Sequence, residues 1–83
     1  MTENKSLSEL PLGSKATITR LCSEDRMRRR LQDLGFVEGG EVDCVSRSPL
    51  GDPTAYRISG TIIALRHEDA DTIKVKISKQ EKM

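Results

Sequence analysis

The chain has 83 residues, enough for one small domain with a modest core. Apolar residues make up 35% and aromatics only 2%, so the core must be aliphatic, and no aromatic wall is available for stacking bases or gripping proline peptides. A net charge of +1 with 33% charged residues points neither to a polycation for nucleic acid nor to an acidic tail.

Residues 1–6 are polar and are expected to be a flexible lead into a single domain over 7–78, with a solvated tail at 79–83. The start of the chain has no apolar stretch of the kind that directs secretion, and the run Ile62 to Leu65 is far too short to span a bilayer. A cytoplasmic setting follows as the expectation, with Cys22 and Cys44 as two reduced thiols rather than a disulfide.

Leu7, Leu10 and Leu12, punctuated by Pro11 and Gly13, suggest a short turn of helix leading into the domain. Lys15 to Leu21 alternates β-branched and apolar residues and reads as the first strand. The change of apolar parity between Ile18 and Leu21 predicts a bulge or the strand's end. Ser23 is a plausible helix N-cap, followed by two acids where the positive end of the helix dipole favours them. Met27, Leu31 and Leu34 then recur at i, i+4 and i+7, one face of a helix, and Gly35 sits where a left-handed residue ends one. Phe36 is placed to pack back on the last turn.

Glu41 to Ser46 reads as the second strand, with Val42 and Cys44 on one face. Residues 48–53, SPLGDP, form a rigid loop between antiparallel strands. Thr54 to Ser59 and Thr61 to Arg66 are two strands broken by Gly60, which marks a tight turn. Tyr56 is expected in cross-strand packing with its hydroxyl at the edge. His67 to Asp71 is a polar one-turn connection, and Thr72 to Ser78 is the cleanest strand, with Lys74 and Lys76 facing water. The fold class is therefore mostly β: about five short strands in a small curved or closed barrel, with a helical insertion between the first and second.

Three stretches could carry chemistry. Arg26, Arg28, Arg29 and Arg30 could grip phosphates or an acidic partner surface, and a protein-facing helix is the stronger reading because no aromatics interleave. His67, Glu68 and Asp71 could contribute oxygen and nitrogen ligands to a divalent cation, although consecutive residues in a short turn rarely converge on one ion. Pro49, Leu50 and Asp52 lie in an exposed loop suited to a partner contact. There is no nucleophile elbow, no phosphate loop and no partner for the sole histidine, so neither an enzyme nor a cofactor is expected.

The run LPLG at 10–13, RRRLQDLGFVEGGEV at 28–42, GDP at 51–53 and ISGTIIALRHEDADTIKV at 58–75 together resemble the FeoA family of the bacterial ferrous-iron transport system. Two ordered patterns carry the resemblance: R-L-x-x-L-G-[FL] ahead of G-x-x-V, and P-x-G-D-P ahead of G-x-x-[IL]-A-L-R-x-x-[ED]-A. The resemblance covers residues 7–77. It implies an SH3-like barrel, a cytoplasmic accessory role beside a membrane transporter carrying a GTP-binding domain, and no metal site of its own as the main activity. His67 departs from the lysine or arginine usual there. On this reading Arg26, Arg28, Arg29, Pro49, Leu50 and Asp52 contact the transporter's GTP-binding portion, while Met27, Leu31, Leu34, Gly35 and Gly60 are structural. The alternatives left open are a nucleic-acid-binding small barrel, a metal-binding module and a self-associating barrel.

Overall fold

Six strands form where the sequence predicts about five. The computed structural model describes residues 4–77. In chain order the elements are β1 (Asn4–Ser6), a 3₁₀ turn (Leu7–Glu9), β2 (Lys15–Leu21), α1 (Asp25–Leu34), β3 (Glu41–Arg47), β4 (Thr54–Ile58), β5 (Thr61–Leu65), α2 (His67–Ala70) and β6 (Ile73–Ile77). They build one antiparallel sheet in the order β1-β6-β2-β3-β4-β5. The helical insertion lies where it was expected, between β2 and β3. The tail expected at 79–83 lies outside the described residues.

The additional strand is β1. Asn4, Lys5 and Ser6, expected within a flexible lead, pair antiparallel with Lys76, Val75 and Lys74 of β6, and residues 1–3 of that lead lie outside the described residues. A polar tripeptide has no strand signal of its own, and it is extended here because β6 offers it an open edge. Lys74, expected to face water, donates from Nζ to Ser6 Oγ at 2.9 Å and pins that pairing.

One face of every strand from β2 to β6 feeds a single core. In β2 the register against β6 shifts between Ile18 and Arg20, so Ile18 and Leu21 both point inward despite their odd spacing. Cys44 is buried in the core and Cys22 is an exposed free thiol. The two largest buried side chains are the chain's two aromatics, Phe36 and Tyr56. Tyr56 is not at an edge. Its hydroxyl is inside, reaching the Leu7 carbonyl at 3.4 Å, and burial, followed by the Cys44 thiol, raises its pKa. With both aromatics consumed by the core, neither lines a surface groove.

The β4–β5 hairpin closes through Ser59 and Gly60, at φ +54° and +78°. Two left-handed residues make the turn whose twist matches the strands, so the glycine predicted as a break is half of that turn.

Candidate partner-binding surface

α1 is built from good helix formers, with Asp25 in its first turn and Gly35 ending it at φ +114°. Phe36 N–H returns to the Leu31 carbonyl at 2.9 Å, so the chain turns back onto the helix as the sequence predicts. The N-terminus differs from expectation. Glu24, not Ser23, is the N-cap, with no side-chain cap, and the buried Ser23 Oγ has no hydrogen-bond partner among the described residues.

Only part of the apolar stripe is buried. Leu31 is inside and Met27 packs against the core, but Leu34 is 41% exposed. The helix leans on the sheet through its first two turns, and its last apolar residue overhangs. Under that overhang runs a cleft of about 450 Å³ between α1 and β5. Met27, Leu31 and Leu34 line it from the helix, and Ala64 and Leu65 line it from the strand.

The arginines divide into three settings. Arg28 pairs with Asp25 one turn earlier on the same helix, so it is the least available to a partner. Arg26 and Arg29 flank a shallow hollow beside Asp25, facing away from the sheet. Arg30 lines the cleft together with Arg66. Arg30 belongs to the predicted arginine cluster but not to the contact set Arg26, Arg28 and Arg29, and Arg66 to neither, yet Arg30 falls at i+3 from Met27 and i−4 from Leu34, on the cleft side of the helix.

The 48–53 loop is held by Gly51 N–H to the Ser48 carbonyl at 2.8 Å and Asp52 N–H to Ser48 Oγ at 3.0 Å. Leu50 at its tip is 93% exposed, and Pro49 is exposed beside it. Asp52 has a structural task, because its Oδ1 accepts the His67 N–H at 2.8 Å and so caps α2. The 65–69 segment therefore joins the two predicted contact regions: the loop grips it at His67, and the cleft residues Leu65, Arg66, Glu68 and Asp69 face α1.

The ligand candidates are not brought together. Asp71 Oδ1 accepts from Ser8 Oγ at 2.9 Å, and His67 is engaged through its backbone by Asp52. Among the described residues no three His, Cys, Asp or Glu side chains gather as a metal site. Ser8's hydroxyl, and after it Ser6, His67 and Lys74, outweigh desolvation and hold the Asp71 carboxyl below its ordinary range. Among the described residues no helix is long and apolar enough to cross a membrane.

This arrangement is that of a small β-rich domain whose surface carries charged side chains beside exposed apolar ones. The FeoA domain family matches residues 5–77, and the chain belongs to that family, whose members are non-catalytic accessory proteins. It is 41% identical over 71 residues to the Fe(2+) transport protein A/Fe(2+) transporter FeoB fusion protein of Porphyromonas gingivalis, a match covering 86% of this chain and 8% of that protein's length. The solution structure of FeoA from Chlorobium tepidum superposes with TM-score 0.84 at 36% identity, covering 93% of this chain and 73% of that one. Stenotrophomonas maltophilia FeoA complexed with zinc, described as a procaryotic SH3 domain protein, superposes with TM-score 0.74 at 38% identity, covering 90% and 88%. The fold is thus SH3-like, with a sixth strand.

Proposed function

We propose that this protein is a cytoplasmic accessory of ferrous-iron uptake that binds the GTP-binding portion of an FeoB-type membrane transporter. The observation that carries this reading is the fusion relative, in which a segment like this chain and an FeoB transporter share one polypeptide. Fusion holds two modules at high effective concentration, an arrangement suited to partners that act together.

Arg26 and Arg29, with Pro49 and Leu50, form the contact, because they are exposed and carry no ion pair among the described residues. Arg28 and Asp52 are secondary, since each already serves the fold. To alter transport the module must bind one conformation of the transporter better than another.

The test is binding of the purified protein to the transporter's GTP-binding portion with guanosine diphosphate, with a non-hydrolysable triphosphate analogue, and without nucleotide. Nucleotide-dependent binding supports a regulator that reads the switch state. Equal affinity in all three points to a scaffold, and no binding to this portion or to the intact transporter removes the proposal.

A further inference from the structure

The two edges of the sheet are chemically unlike. β1 has three residues, one of them a lysine, which are standard means of blunting an edge. β5 has five residues, Thr61 to Leu65, with no charge and no proline. In a two-residue hairpin the closing pair, Ile58 and Thr61, exchanges hydrogen bonds, and bonded pairs recur every second residue. Ile63 and Leu65 therefore bond to β4, while Ile62 and Ala64 aim both backbone groups away from it. Among the described residues no hydrogen bond reaches those outward groups.

Across the cleft from this edge stands α1. Leu34 and Ile62, at 41% and 60% exposure, leave apolar surface uncovered beside it. Arg30 from the helix and Arg66 from the end of β5 line the cleft, and neither has an ion pair among the described residues. Glu68 and Asp69 also line it without engaging either arginine.

We infer that the β5 edge accepts a seventh strand, a single extended segment of the transporter's soluble part, apolar at alternate positions and bearing a carboxylate for Arg30 and Arg66. The inference rests on the transporter reading above. Unpaired N–H and C=O groups two residues apart recognise extended backbone, with main-chain bonds supplying affinity and the cleft supplying selectivity. A lone segment fits between strand and helix better than a second copy, which would bring its own β4 into the same space and offer the arginines no acid from its uncharged β5. Residues 78–83, SKQEKM, contain one apolar residue and lack the required alternation.

Proline at position 62 removes the outward N–H without removing a bond to β4, and threonine there keeps that N–H. The experiment measures affinity of wild type, Ile62→Pro, Ile62→Thr and Arg30→Glu/Arg66→Glu for the transporter's GTP-binding portion, together with amide exchange at Ile62 and Ala64. The expected result is that binding by Ile62→Thr falls only by what the isoleucine side chain contributes, which sets the reference for proline at the same position. Ile62→Pro and the arginine double variant each weaken it about tenfold or more. In the wild-type complex the Ile62 and Ala64 amides become protected. If they exchange as in the free protein, the inference is overturned, and that readout holds even if a variant misfolds. Self-association that Ile62→Pro abolishes would assign the edge to a second copy and also overturn it. If wild type does not bind at all, the transporter reading falls and takes this one with it, whereas binding with an unaltered edge removes this inference alone.

Discussion

The end of the molecule around the 3₁₀ turn and α2 differs sharply from the side where α1 faces β5. At the first, polar groups are partnered across long sequence separations: Ser8 with Asp71, Ser6 with Lys74, Arg47 with the Leu10 carbonyl, and Asp52 with the His67 N–H. At the second, Arg30 and Arg66 carry no ion pair among the described residues, and Leu34 and Ile62 stay exposed. One region has its interactions completed by the fold, while the other keeps groups that only a partner can complete. The contrast separates residues that hold the domain together from residues that recognise something outside it.

Removing either anchor should break this contrast most forcefully. Leu7→Ala at the closed end and Leu31→Ala beneath α1 each delete a fully buried leucine and should cost about 2–5 kcal/mol in chemical denaturation. An unchanged unfolding midpoint for Leu31→Ala would mean that α1 is not docked through that residue. Gly35→Ala should cost about 1–2 kcal/mol. The methyl itself meets ordinary contacts, Ser59 Oγ at 3.5 Å being nearest, but φ of +114° is unfavourable for any side chain.

Smaller effects sharpen the comparison. Ser6→Ala should cost about 1 kcal/mol by releasing Lys74 from the β1–β6 pairing. Asp71 gives a pH signature. Because its folded pKa lies below the ordinary value, its contribution is present above the ordinary carboxylate range and is lost as pH falls through the depressed value. Ser8→Ala, which removes the largest cause, should flatten that acid limb in a pH series of melting temperatures. Arg26→Glu with Arg29→Glu should leave stability within about 0.5 kcal/mol, since both are exposed. The same pair should weaken transporter binding at low salt. A double variant that binds normally would move the contact elsewhere.

Much of this was legible in the residues. The alternation in 15–21, 41–46 and 73–77, the parity break after Ile18, and Gly35 followed by Phe36 each encode a local geometry that neighbours along the chain impose. Other features were not legible. β1 exists only because β6 has an edge, and Tyr56 is buried because distant parts of the chain, Leu7 among them, gather around it in one core. Asp52, expected as a contact residue, also caps α2, because the loop that carries it folds against that helix. Arg30 looked like one charge among four until α1 was laid beside β5.

By itself the sequence determined the strands with a strong period, the helix and its stop, and a core built mostly of aliphatic side chains. Those follow from periodicity, glycine conformational freedom and the scarcity of aromatics, all properties of residues near one another in the chain. Tertiary structure alone decided which apolar residues stay exposed, which arginines remain unpaired, and which edge of the sheet is left open. Each of those depends on what lies across the sheet, and a one-dimensional pattern carries no record of which distant segment will be there to cover it.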